Sequence, residues 1–167
     1  MKKILFFIAA AILCFSAIAQ QSPEERLKEL NIELGEVSEP VANYIKWRQV
    51  GNLLFLAGDG SDIKGKLGQD LSVEEGYEAA RKTGIEILTT LKAACGDLSR
   101  IKQFVKVRGM VNCTPDFYDQ PKVINGFSDL MVEIFGEKGK HARAAVGHCS
   151  LPSNIAVEIE VVVELTD

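Results

Sequence analysis

The sequence predicts an α+β domain, one β-sheet carrying two long helices on a single face. Three observations predict it. The run 157–165 alternates Val157, Ile159, Val161, Val163 and Leu165 with Glu158, Glu160 and Glu164, the period-two pattern of a half-buried strand. Two stretches, 73–94 and 123–134, repeat apolar residues at steps of three and four, the pattern of amphipathic helices. The segments follow as strand, strand, helix, strand, helix, strand, strand. Two helices over one sheet bury one face and leave the other needing cover.

The chain opens with an address. Lys2 and Lys3 precede an apolar run from Ile4 that ends in Ala17-Ile18-Ala19. A basic start, a short apolar core and an A-x-A site describe a secretory signal peptide over 1–19. The run is shorter than the about 20 residues that span a bilayer. Cys14 follows Leu13 rather than a small residue, which argues against a lipoprotein site. The expectation is an exported protein, periplasmic or secreted, with no membrane attachment after cleavage. Cleavage after Ala19 leaves 148 residues. It removes two lysines and no acid, taking the net charge from −4 to −6. No Lys/Arg cluster stands out, so a polynucleotide is not expected as a partner. A small anion held by one arginine remains open.

The residues from 20 onward keep Cys95, Cys113 and Cys149, an odd number that closes no disulfide framework. Cys113 falls at an apolar strand position and Cys95 at a helix end. Their spacing suits no zinc site, and no metal or cofactor is expected. His141 and His148 read as ordinary hydrogen-bonded or surface histidines. His148 has the strand parity opposite to Arg143, so it should point away from it.

In chain order, Ser22-Pro23-Glu24-Glu25 is a capping box with proline at the first helical position. The short helix it starts should reach Leu30. Residues 20–39 thus hold a helix and a connector, and 40–167 the main domain. A strand from Tyr44 to Val50 turns at Gly51-Asn52 into a second, 53–58. Asp59 to Lys66, rich in glycine and charge, reads as a loop. Ser72-Val73-Glu74-Glu75 is another capping box. Val73, Tyr77, Ala80, Gly84, Ile87, Leu91 and Ala94 make one stripe behind it, with Ala80 and Gly84 expected to let the helix lie close on the sheet. Gly96 to Ser99 breaks the chain. Val105, Val107, Gly109, Val111 and Cys113 then alternate with polar residues as a strand. Pro121 opens the second long helix, with stripe Val123, Phe127, Leu130, Ile134 and a C-terminal cap at Gly136.

The last two strands flank a turn, Leu151-Pro152-Ser153-Asn154, and read as a pair. The first carries one arginine, Arg143, among Ala142, Ala144, Ala145 and Gly147. A guanidinium amid residues too small to cover it can reach a ligand, and its fork matches a carboxylate. A salt bridge from Arg143 to Glu158 across a subunit interface is the alternative, with Glu158 on the solvent side of an edge strand and Tyr44 a packing residue.

His141-Ala142-Arg143, then Leu151-Pro152, then Val157-Glu158-Ile159-Glu160 resembles the C-terminal signature of the RidA/YjgF family, Pro-Ala-Arg, Leu-Pro and a Glu-Ile-Glu strand. The arginine-to-glutamate spacing fits without a gap. Tyr44 matches the family tyrosine seven residues before the Gly-Asn turn. Ala42-Asn43 replaces Gly-Pro, and Ala57-Gly58-Asp59 stands where the family often has Ser-Gly-Gln, which marks a branch with an altered pocket rim. Over about 40–165 the resemblance implies the chorismate-mutase-like fold, a mixed sheet with two long helices on one face. It also implies a homotrimer whose sheets close a barrel, with pockets between subunits.

That family hydrolyses reactive 2-imino and enamine acids. The resemblance assigns Arg143 to the substrate carboxylate and backbone at Ala145 to the imine nitrogen. It assigns Glu158 to the attacking water and Tyr44 to closing the pocket; Asn125 is the nearest match to a helix-borne family asparagine. A non-catalytic binding protein for small carboxylate metabolites is the second reading. Ribonuclease activity, reported for some relatives, ranks last given the acidic charge balance.

Overall fold

The computed structural model describes residues 21–166; the leader and its cleavage site lie outside the described residues. Helix α1 (Pro23–Glu29) and helix α2 (Val73–Cys95) both start on the expected capping boxes. Ser22 and Ser72 Oγ each accept the N–H three residues on at 3.2 Å. Glu25 and Glu75 accept the cap N–H groups at 2.9 and 2.8 Å. Each box satisfies two of the donors a helix start leaves orphaned. Helix α3 (Gln120–Phe135) has Pro121 in its first turn and ends at Gly136, whose φ of 59° favours glycine.

The strands are β1 (Trp47–Val50), β2 (Leu53–Leu56), β3 (Asp59–Gly60), β4 (Ile101–Asn112), β5 (Ala142–His148) and β6 (Val157–Leu165). The sheet order is β1-β2-β6-β4-β5, with β3 also on β6. Only β4 and β5 run parallel. A parallel neighbour needs a long crossover, and α3 supplies it. The last two strands are therefore not paired with each other: β4 lies between them. The Leu151–Asn154 segment is a connection over the sheet end rather than a hairpin turn, with Ser153 and Asn154 both at positive φ.

Three further expectations are corrected. β1 starts at Trp47, so Tyr44 lies in the irregular segment before it. β4 starts at Ile101 rather than Val105. Register shifts between Ile101 and Gln103 and between Phe104 and Lys106 put Ile101, Phe104 and Val107 inward, three residues apart. Such bulges break the period-two pattern and leave Val105 exposed. Gly84 faces α3 rather than the sheet: a Cβ there would fall 3.0 Å from Leu130 and 3.2 Å from Phe127. The crossing is closer still at Gly126, where a Cβ would meet the Tyr77 carbonyl oxygen at 2.0 Å. Glycine at that contact is what lets the helices approach.

The core lies between the sheet and this helix pair. Val157, Ile159, Val161, Val163 and Leu165 are buried, as are all four residues of the α3 stripe. Truncating one such aliphatic side chain to alanine typically costs about 2–5 kcal/mol. The Phe104 ring meets Phe135 edge-on at 5.0 Å, an arrangement worth about 0.5–1.5 kcal/mol beyond burial. The opposite sheet face is uncovered and exposes Val50, Leu53, Phe55, Val105 and Val146. No helix among the described residues is long and apolar enough to cross a membrane.

Candidate functional site

Arg143 sits on β5, the end strand of the sheet, opposite Val107 of β4. Val107 and its partner Val161 are buried on the helix side, so Arg143 points there too. Its Nη1 donates to Asn125 Oδ1 and to Ser128 Oγ, both at 2.9 Å. Asn125 and Ser128 are three residues apart on α3 and so share one helix face. The two acceptors occupy one guanidinium nitrogen. Among the described residues these are its only hydrogen bonds, which leaves Nε and Nη2 as a planar fork. Ala145 follows on the same face, opposite Gly109, where Ile124 fills the space a side chain would take. The small residues that the sequence places around Arg143 thus keep the strip beside α3 narrow.

Behind Arg143 stands His141. Its Nδ1 is 2.7 Å from the Gly139 carbonyl oxygen and its Nε2 is 3.1 Å from Ser128 Oγ. The ring packs against Phe104 and Phe127, with centroids 6.4 and 5.8 Å away. Burial lowers its pKa, the Gly139 hydrogen bond opposes this, and the charge of Arg143 lowers it further. The histidine is hydrogen-bonded, as the sequence reading has it, but its link to Arg143 is new. Ser128 was missed; its three-residue spacing from Asn125 was the available signal.

Glu158 points the other way. It pairs with Met110 of β4 and Gly60 of β3, on the uncovered face. Within one chain, Arg143 and Glu158 occupy opposite faces, and no salt bridge joins them. Burial raises the Glu158 pKa, and Glu160 adds to this; His148 and Arg108 pull it down, and Asp59 raises it slightly. Gly58 lies against it: a Cβ there would be 2.4 Å from Oε1. His148 shares this uncovered side, as its parity predicts.

Tyr44 is exposed, on the segment leading into β1, at the sheet edge opposite β5. A cleft of about 450 Å³ flanked by Pro40, Ile45 and Trp47 lies beside it. Lys46, two residues on, forms an ion pair with Asp59 at 2.5 Å, both side chains only 9% exposed. Asp59 also accepts from Thr90 Oγ1 at 3.4 Å. This pair ties the Tyr44 segment to β3, whose Gly60 lies opposite Glu158. Asp59 itself faces α2 together with Ile159, whereas Glu158 lies on the uncovered face. Tyr44 stands near the β1 edge of the sheet, and Arg143, Asn125 and Ala145 lie at the β5 edge. Among the described residues no cluster of three or more His, Cys, Asp or Glu side chains could hold a metal ion.

A mixed sheet with two long helices on one face is the chorismate-mutase-like architecture of the RidA/YjgF-like class. The chain belongs to that family. The family model described as "YjgF/chorismate mutase-like, putative endoribonuclease" matches residues 24–165. The Trypanosoma cruzi protein TCP17 is 38% identical over 159 residues, which cover 91% of this chain and 99% of that protein. A solved structure from Agrobacterium tumefaciens, of unknown function, is 41% identical with a TM-score of 0.80, covering 87% of this chain and 94% of that one. One from Shewanella oneidensis, which carries the endoribonuclease description, is 36% identical with a TM-score of 0.84, covering 87% and 100%. RidA from a Psychrobacter species shares the fold at 22% identity and a TM-score of 0.53, covering 78% and 94%.

Proposed function

We propose that this protein hydrolyses small reactive 2-imino acids in a pocket between subunits of a homotrimer. The observation that carries the reading is Arg143, pinned through Nη1 with its other edge open. A planar cation so presented suits a carboxylate, which it can hold by two parallel hydrogen bonds. The opposite placement of Arg143 and Glu158 supports assembly. A head-to-tail contact sets the β5 edge of one copy on the uncovered face of the next, and such contacts close into rings when the rotation permits. Arg143, Asn125 and Ala145 then come from one subunit, Glu158 and Tyr44 from its neighbour. The exposed Val50, Leu53, Phe55, Val105 and Val146 gain cover in the same step.

The chemistry asks little of the protein. An iminium carbon is already electrophilic, so positioning the carboxylate and one water supplies most of what is needed. Glu158 takes a proton from that water as oxygen bonds to the carbon. That proton passes to nitrogen, the new hydroxyl gives up its own proton as the C–N bond breaks, and a 2-oxo acid and ammonia leave, the ammonia carrying the second proton away as ammonium. A carboxyl raised by burial toward working pH suits a general base. Tyr44 closes the pocket mouth. The endoribonuclease description of the family is disfavoured as the activity here by a net charge of −4, since polyanion binding relies on cationic surplus.

The test is an assay of purified protein on freshly generated 2-iminopropanoate, with pyruvate binding followed alongside by ligand-detected NMR. Faster imine loss that Arg143→Ala abolishes is expected. Pyruvate binding without any turnover would replace the enzyme by a carboxylate-binding protein on the same scaffold. Neither turnover nor binding would end both readings.

A further inference from the structure

We propose that Ser128 and His141 form a proton-ordered relay that fixes the orientation of Arg143, making both positioning residues for the bound carboxylate. The proposal rests on the carboxylate-clamp reading above and deepens it. Where the family pattern has proline before Ala-Arg, this chain has His141, so the relay belongs to this branch.

Every proton in the chain of contacts is determined by what its neighbours can do. The Gly139 carbonyl can only accept, so His141 Nδ1 carries the hydrogen across their 2.7 Å contact. In the neutral ring Nε2 then holds a lone pair, and Ser128 donates its hydroxyl hydrogen to it at 3.1 Å. Arg143 has donors alone, so Ser128 Oγ must accept from Nη1 at 2.9 Å. The second Nη1 hydrogen goes to Asn125 Oδ1, also at 2.9 Å. With both its hydrogens committed to one helix face, Nη1 cannot rotate toward the ligand. Nε and Nη2 remain as the fork.

The far end of the relay is as fixed as the near one. A Cβ on Gly139 would lie 2.2 Å from the Met131 carbonyl oxygen, so the turn carrying the Gly139 carbonyl is pressed against the end of α3. Phe104 and Phe127 both pack against the imidazole. Without an acceptor at His141, the Ser128 hydroxyl is free to turn back to the helix carbonyl four residues earlier, a common alternative for serine. Arg143 then keeps one acceptor of two and swings about the Asn125 contact. His141 thus acts on the ligand through Ser128 and Arg143, without touching it.

The test uses Ser128→Ala, His141→Phe, which keeps an aromatic ring but no acceptor, and His141→Gln, which restores an acceptor. Nitrogen-15 NMR of the ligand-free protein should find wild-type His141 as the Nδ1–H tautomer and Arg143 with separate Nη1 and Nη2 signals. Ser128→Ala and His141→Phe should merge those signals and weaken pyruvate binding about three- to tenfold, roughly one hydrogen bond's worth of ordering. His141→Gln should recover both readouts, and the double variant should cost no more than either single one. An Nε2–H tautomer, or His141→Phe with resolved Arg143 signals and unchanged affinity, would overturn the relay. If wild type does not bind pyruvate, the clamp reading has failed, while the tautomer and rotation signals still decide the relay by themselves.

Discussion

Replacing Asp59 by asparagine keeps shape and removes one charge from the ion pair with Lys46. The two side chains meet at 2.5 Å with 9% exposure each, so water cannot take over the role of the lost partner. Removing one member of a buried pair typically costs about 3–5 kcal/mol, because the other charge stays buried and uncompensated. Glu86 is close enough to feel both Asp59 and Lys46, and it offsets part of that loss. A net cost of about 3 kcal/mol corresponds to a melting temperature lower by roughly 6–12 °C for a domain of this size. Thermal unfolding followed by circular dichroism at pH 7 reads this directly. Pairing Asp59→Asn with Lys46→Met removes both charges and should recover most of the loss, as charge removal on both sides often does. Because Lys46 anchors the segment carrying Tyr44, the single variant should also raise KM for an imine substrate. A melting temperature within 2 °C of wild type would show that the pair is solvated, about 0–1 kcal/mol in strength, and that it does not hold the Tyr44 segment.

Other outcomes follow from the same geometry. Arg143→Lys should weaken pyruvate binding about tenfold to a hundredfold in a titration, the worth of a charge-assisted hydrogen bond, and Arg143→Ala should lose more while the fold persists. Glu158 must be ionised to act as a base, and its pKa is raised; kcat/KM should therefore fall with decreasing pH through a value above that of an ordinary glutamate. Glu158→Gln should lower the rate and remove that acid limb while pyruvate still binds. Mass spectrometry of the envelope fraction should find a chain starting at Gln20; an intact Met1 there would refute export with cleavage.

The helices were the most legible part of the fold. Capping boxes at Ser22 and Ser72, and stripes such as Val123, Phe127, Leu130 and Ile134, are local signals that tertiary packing reinforces. β6 was legible for the same reason, its five apolar residues all facing the core. Strand partnership was not. Leu151-Pro152 looks like a turn between neighbours, yet β6 pairs on the far side of β4, because α3 returns the chain parallel to β4 and occupies that edge with β5. Nothing within 141–165 encodes that choice. The start of β4 was hidden by two register shifts that turn a period of two into a period of three. Arg143, Ala145, Glu158 and Tyr44 were picked out by motif, and Asn125, matched to a helix-borne family asparagine, is hydrogen-bonded to Arg143. Their division between two faces and two edges depends on the strand order, so it could not be read from spacing. Ser128 and the part played by His141 emerge only when β5 lies against α3.

The proposed function requires the two halves of the site to come from different copies of the chain. Co-expression of Arg143→Ala with Glu158→Gln reads this out, each variant by itself being strongly impaired on 2-iminopropanoate. In a randomly mixed ring, one junction in about four joins an intact Arg143 to an intact Glu158 across the contact. About a quarter of wild-type activity should therefore return in the mixed oligomers. Mixed oligomers no more active than either parent would show that Arg143 and Glu158 do not meet across a subunit contact and would contradict it.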